Sequence, residues 1–242
     1  MPREKVTISW SGGKDSAFAL YKVLQEDKYE VTGLHTVIAE DTRRVGLHGV
    51  REELIETQAN ALGLPLTKLY LKTANDHQAY ESLMRTFYTQ CAAEGIAGVV
   101  FGDIFLEDLK KFREELLGAS GLFPVFPIWK QDSAVLIHDF IAAGFYTVLC
   151  SANSAYFTEE KLGKTIDHAF VANLPAEVDP CGENGEFHTF VYNGPYFKRP
   201  VAFDAAEVIK KTYSYQRKND DDTIDLLESS FWFQELLPRT MS

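Results

Sequence analysis

Cysteine is scarce in this 242-residue chain: Cys91, Cys150 and Cys181 are widely spaced, odd in number and include no CxxC pair. Neither a disulfide framework nor a four-ligand zinc site is suggested, and a reducing compartment is expected. Long apolar runs are missing too. No stretch approaches the roughly 18 residues that cross a bilayer, and the polar residues 1–5 lead straight into a strand-like segment, so the expectation is a cytoplasmic protein without membrane attachment. Basic residues are in deficit, 24 Lys and Arg against 35 Asp and Glu for a net charge of -11. That argues against a nucleic-acid partner, because phosphate-backbone binding draws its affinity largely from Lys and Arg. Internal repeats and low-complexity segments are absent. The densest acidic run, Asp220, Asp221 and Asp222, reads as a solvated turn.

What is present is a globular composition, 45% hydrophobic, long enough for a full core and a second, smaller lobe. Residues 6–10 read as a strand, and Ala17, Leu20, Tyr21 and Leu24 then recur at the spacing of a buried helical face. Strand 31–38, helix 50–62, strand 66–71, helix 76–93, strand 96–101 and helix 107–117 continue the alternation. Such a rhythm predicts an α/β fold with a doubly wound parallel sheet, whose ligands gather beyond the carboxyl ends of the strands. The segment 121–127, with one Gly and two Pro, breaks the pattern. It sets the expected division into a nucleotide-binding domain, 1–126, and a smaller mixed α+β lobe, 127–242. Within that lobe the pattern gives a helix at 133–143 and strands at 145–150, 187–192 and 201–203.

The first strand-to-helix junction carries Ser11, Gly12, Gly13, Lys14, Asp15 and Ser16. Backbone N–H groups, a helix N-terminus and a lysine ammonium converge there, which makes an anion site. Two glycines let the backbone approach a phosphate, and Ser11 and Ser16 add hydroxyls. Ile8 stands where a Walker A loop has its first glycine, and Asp15 where that loop has Ser or Thr, so the junction is not a Walker A loop. A second cluster lies at 179–191, where Gly182, Glu183, Glu186, His188 and Thr189 offer carboxylates, a near-neutral base and a hydroxyl on a tight backbone.

The sequence SGGKDS resembles the PP-loop signature SGGxDS of the adenine-nucleotide α-hydrolase superfamily, whose members cleave ATP between the α and β phosphates. Together with Gly-Asp-Ile at 102–104, PVFPIW at 124–129 and the late GE-x-GE-x-[HE]-T stretch, it is similar to the diphthine-ammonia ligase family over about residues 5–200. That resemblance implies a ligase using ATP with Mg2+ to activate a carboxyl or carbonyl acceptor as an adenylate, which ammonia converts to an amide. By likeness, residues 11–16 bind ATP, with Lys14 steadying phosphate charge, and Asp103 borders the nucleotide. Glu183, Glu186 and Thr189 serve the acceptor or ammonia side, with Gly182 and His188 in the same stretch. Asp15 either helps hold magnesium or caps the helix, and both readings stand. His35 and Thr36 lie where superfamily members seat adenine, with core packing as the alternative role. His48 either meets a phosphate or acceptor group or belongs to the start of a helix.

The chain departs from archaeal and eukaryotic members in the stretch 104–113 and in having His188 where they more often have an acidic residue. Both features resemble a bacterial branch, for which diphthamide is not the expected product; the acceptor, a small molecule or a protein side chain, is left open. So is the oligomeric state, a homodimer included. The alternative functions are a tRNA-thiolating PP-loop enzyme, with Cys181 as its sulfur carrier, and a non-catalytic ATP or AMP sensor. Tyr80, Phe87 and Tyr88, at helical spacing, are expected in the core.

Overall fold

The computed structural model describes residues 2–46, 48–72, 76–218 and 224–239. Its first half runs β1 (Glu4–Ser9), α1 (Lys14–Glu26), β2 (Tyr29–Ala39), β3 (Arg44–Val45), β4 (Val50–Arg51), α2 (Glu52–Leu62), β5 (Leu66–Leu71), α3 (His77–Ala93), β6 (Gly98–Val100), α4 (Glu107–Gly118) and β7 (Phe123–Val125). The second half runs α5 (Ser133–Ala142), β8 (Tyr146–Asn153), a 3-10 turn at Glu159–Lys161, α6 (His168–Ala172), β9 (Phe187–Asn193), β10 (Phe203–Lys218) and β11 (Ile224–Pro238).

Local chemistry accounts for the element boundaries. Asp76, Asp132 and Asp167 cap α3, α5 and α6 by accepting hydrogen bonds from the backbone N–H of Ala79, Val135 and Phe170, the usual role of a short acidic side chain before a helix. Gly63, at φ 72°, ends α2 in the left-handed conformation that glycine adopts without steric cost. Helix α1 differs, for its N-cap is Gly13, which has no side chain of its own to cap it.

Strands β5, β2, β1, β6 and β7 lie side by side in that order and all parallel. The β3–β4 hairpin extends the sheet from the end of β2, where Ala39 pairs with Arg44. The chain therefore builds outward from β1 through β2 to β5, then returns to the other flank of β1 with β6. This reversal creates a crevice beyond the carboxyl ends of β1 and β6, where doubly wound folds bind ligands. The turns 11–13 and 102–105 border it. The fit is close: a Cβ on Gly102 would lie 2.7 Å from the backbone carbon of Asp15.

A separate antiparallel sheet follows the order β10, β11, β8, β9. The two sheets share one core, since Val6, Ile8, Phe18 and Leu20 belong to the same buried cluster as Phe140, Val148, Phe187 and Phe190. Phe18 meets Phe140 and Phe145 edge to face. A second cluster, with Met84, Phe87, Tyr88 and Phe101, fills the space under α3 and α4.

Several sequence expectations need correction. The segment 121–127, read as a break in the pattern, contains a strand: Phe123–Val125 form the edge of the sheet, and Pro124 is accommodated because an edge strand leaves one side of its backbone unpaired. The helix expected at 50–62 begins at Glu52, because Val50 and Arg51 pair with Val45 and Arg44. Of the short strand expected at 201–203 only Phe203 is in a strand, as the first residue of β10, which is 16 residues long. The acidic run at 220–222 lies outside the described residues.

Candidate active site

The crevice opens into a cavity of about 530 Å³. Its walls carry Ser11, Lys14, Asp15 and Ser16 from the first loop and helix, His35 and Thr36 from β2, His48 from the turn after β3, Asp103 from beyond β6, and Gly182, Glu183, His188 and Thr189 from the late loop and β9. Residues separated by up to 178 positions thus face one space. Gly12 and Gly13 lie behind that wall, and Glu186 lies outside it.

The first loop is braced by the C-terminal half. The Lys14 N–H donates to Thr189 Oγ1 at 3.0 Å, and the Val191 N–H donates to the Gly12 carbonyl at 2.9 Å. The Gln58 amide ties the same two segments together, donating to the carbonyls of Gly12 and Val191 while accepting from the indole N–H of Trp10. Within the loop, the Gly13 N–H donates to Ser11 Oγ, and Ser16 Oγ donates to the Gly13 carbonyl. Gly12 takes φ +81°, and a Cβ there would lie 2.5 Å from Ile55 Cδ1. The loop is held in shape before any ligand arrives.

Charge in the cavity is concentrated. Lys14 Nζ lies 2.9 Å from Asp15 Oδ2 and 5.3 Å from the centre of the Phe187 ring. Burial pulls the Lys14 ammonium toward the neutral form, but Asp15, Cys181 and Glu183 outweigh it and its pKa is raised. Burial also raises Asp15, against the pull of Lys14. Asp103 is raised by burial, opposed by Arg113, whose Nε lies 3.5 Å from Asp103 Oδ2. Glu183 accepts from the N–H groups of Ile104 (2.8 Å) and Phe105 (3.3 Å), so it pins the late loop onto the turn after β6; burial pushes its carboxyl up to about 7.

The histidines are neutral. His48 Nδ1 lies 3.2 Å from the Thr189 carbonyl, which can only accept, so Nδ1 carries the proton and Nε2 is left as an acceptor. Burial lowers its pKa to about 4, and burial together with His48 and Lys14 holds His188 well below the ordinary range. The two rings lie 4.7 Å apart, centre to centre.

Glu186, expected among the catalytic groups, is buried and turned into its own loop. Its Oε1 accepts from the Asp179 N–H at 2.9 Å and from the Asn184 side-chain amide at 3.1 Å. Arg113 had no sequence signal and Tyr80 was expected in the core, yet both line the cavity, joined by a bond from the guanidinium to the tyrosine hydroxyl. Phe87 and Tyr88 are buried as expected, whereas Tyr80 is only half-buried and belongs to the wall. The β1–α1 loop, its position at the switch point of a doubly wound sheet, and the cavity beside it define a PP-loop α/β protein.

The diphthamide synthase N-terminal domain profile matches residues 4–124, and the diphthamide synthase C-terminal domain profile matches residues 132–219. The chain belongs to the diphthamide synthase family. It is 26% identical over 227 residues to a diphthine--ammonia ligase of Danio rerio, covering 82% of this chain and 86% of that protein. The Homo sapiens diphthine--ammonia ligase is 24% identical over 228 residues, 85% of each chain. With the Schizosaccharomyces pombe diphthine--ammonia ligase, identity is 26% over 219 residues, 83% of this chain but only 36% of that longer protein. Among solved structures, the U34-tRNA thiolase NcsA from Methanococcus maripaludis with its [4Fe-4S] cluster aligns at a TM-score of 0.35 and 14% identity, over 57% of this chain and 56% of that one. Among the described residues no helix is long and apolar enough to cross a membrane.

Proposed function

We propose that this protein is an AMP-forming, ATP-dependent amide ligase that joins ammonia to a carboxyl or carbonyl acceptor, working in the cytoplasm. The observation that carries the reading is the convergence, on one cavity, of the α1 N-terminus with its lysine and a carboxylate–histidine group from the other end of the chain. A nucleotide-binding lobe, 1–126, would supply the first set and an acceptor-binding lobe, 127–242, the second. Family membership and relatives named as ligases point the same way.

In this reading the triphosphate lies along Ser11–Ser16, with Lys14 and the α1 terminus against the departing pyrophosphate. The acceptor carboxylate oxygen attacks the α-phosphorus, the α–β bridging bond breaks, and pyrophosphate leaves. Ammonia nitrogen then attacks the acyl carbon, the acyl–oxygen bond to AMP breaks, and the nitrogen gives up a proton. Glu183 suits that proton: it lines the cavity and its carboxyl is raised to about 7, near the operating pH of a general base.

Among the described residues no group of three His, Cys, Asp or Glu side chains could hold a metal ion. Magnesium would arrive on the triphosphate with phosphate and water ligands. Asp15, beside the loop lysine, is the residue to meet it. Bound there, the ion would neutralise phosphate charge.

The test is incubation with magnesium, ammonium, α-labelled ATP and a metabolite extract, for the wild type and Lys14→Ala. AMP that rises with extract, and that Lys14→Ala abolishes, is expected; ADP in place of AMP, or equal turnover in the variant, would overturn the reading. A tRNA-thiolating enzyme is disfavoured, because Cys91, Cys150 and Cys181 are all buried and burial pushes the Cys181 thiol up to about 12. Cys181→Ser, which keeps a donor toward the Ser133 carbonyl, is accordingly expected to retain AMP formation.

A further inference from the structure

Ser151 Oγ and His188 Nε2 are both buried without a hydrogen-bond partner, and their residues pair across β8 and β9. Leu149 pairs with Thr189 and Ser151 with His188, so Cys150 is the extra residue of a β-bulge, a device that re-aims side chains beside functional sites. Directly opposed residues of neighbouring strands project on one face, with Cβ atoms about 4.5–5.5 Å apart. His188 belongs to the cavity wall, whereas Ser151 is fully buried behind it. Buried polar atoms are nearly always satisfied, and the usual partner of such sealed groups is one water-sized molecule.

A second imidazole completes the group. The His48 ring lies 4.7 Å from that of His188, centre to centre. Its Nδ1–H is committed to the Thr189 carbonyl at 3.2 Å, which leaves Nε2 as an acceptor. The turn that carries His48 is tied to the bulge, because Cys150 Sγ donates to the His48 carbonyl at 3.4 Å. It is also tied to β11, because Arg44, which donates to the Gly49 carbonyl, is paired with Glu235.

The three groups are uncharged. Burial keeps both imidazoles neutral, and the Lys14 ammonium, close enough to depress them further, opposes a second cation. An ammonium ion is thus disfavoured. Ammonia fits: its three N–H groups match acceptor sites on His48 Nε2, His188 Nε2 and Ser151 Oγ, and its lone pair stays free for an acyl carbon. Water, with two O–H groups, would leave one of the three acceptors unmet.

We infer that His48, His188 and Ser151 form the pocket that holds ammonia, as the neutral molecule, for the amide-forming step. His188 is then in its Nδ1–H form, with Nε2 accepting. This inference rests on the ligase reading.

The test is proton–nitrogen correlation spectroscopy of the imidazoles in the full chain, titrated with ammonium chloride and, at equal ionic strength, with potassium chloride. The exposed His138 and His168 serve as internal references. Saturable shifts at His48 and His188 with ammonium alone are expected, with both rings in the Nδ1–H form. Half-saturation in total ammonium should fall severalfold between pH 8 and pH 9, because the ammonia fraction rises. Over that interval both histidines stay neutral, Lys14 stays charged and Glu183 is already ionised. Ser151→Ala loses one neutral hydrogen bond and should weaken the response roughly 2- to 12-fold. The half-saturating ammonium concentration for AMP formation with extract should rise by the same factor. Should that variant not fold, the wild-type titration and its pH dependence decide alone. The absence of a saturable shift, meaning water only, or a half-saturation unchanged by pH, would overturn the inference, while AMP formation that still rises with ammonium would leave the ligase reading intact. AMP formation indifferent to ammonium would overturn both.

Discussion

Gly13 offers a quantitative test of how tightly the two halves of the site are fitted. Its backbone, φ -91° and ψ 175°, is extended and open to any residue, so Gly13→Ala introduces no conformational strain. The added Cβ would, however, lie 2.6 Å from His48 Cε1, 3.2 Å from His48 Nδ1 and 3.1 Å from the Thr189 carbonyl oxygen. Ordinary carbon–carbon contact is about 3.5–4.0 Å, so the imidazole must retreat by roughly 1 Å and lose its bond to Thr189. Overpacking of this kind costs about 1–3 kcal/mol. For a chain of this length each kcal/mol lowers the melting temperature by about 2–4 °C. Thermal unfolding of Gly13→Ala, His48→Ala and the double variant forms a cycle. The Gly13→Ala penalty is expected to shrink by at least about 1 kcal/mol when His48 is absent, with a remainder from the Thr189 contact. A penalty of the same size in both backgrounds would refute the proposed steric cause.

Glu183 gives a pH test. Its folded pKa of about 7 lies above the ordinary 4.5, so the folded state holds the proton more tightly than the unfolded chain. The group's contribution therefore becomes less favourable as pH rises from 4.5 through 7. Glu183→Gln, which can still accept from the Ile104 N–H, is expected to gain in denaturant midpoint over wild type at pH 8.5 and to match it near pH 4; a gap that widens toward acid would contradict the assignment. Glu186→Ala should release the Asp179 N–H and lower stability by about 1–3 kcal/mol, with ATP affinity falling less than in Lys14→Ala. Unchanged melting of that variant would remove its structural role.

The parts legible in the sequence are those coded locally. SGGKDS lies between a strand and a helix with an amphipathic face, and its placement at the crevice follows from the alternation of elements. Asp103 was legible for the same reason, since a buried strand ending in Gly-Asp delivers an acid to the sheet's carboxyl edge. Arg113 was not, because a basic residue in a charged helix looks solvent-facing until α3 and Phe101 close over it. Gln58 reads as an ordinary mid-helix polar residue, and only its reach across to Val191 gives it meaning. The turn of Glu186 into its own loop was not legible, because spacing alone does not distinguish an acid that faces a ligand from one that braces its own loop. The β3–β4 hairpin, two residues per strand, is too short for any periodicity to register.

The brace from β9 onto the first loop has a consequence for dissection of the chain. A fragment ending near residue 124 would contain every letter of the loop signature, yet the Lys14 N–H would have lost its partner, the Gly12 carbonyl one of its two and Gln58 one of its three. The signature alone is then not a portable nucleotide binder. Two fragments mixed in a tube should bind only by complementation, because the half that names the loop and the half that shapes it are different parts of the polypeptide.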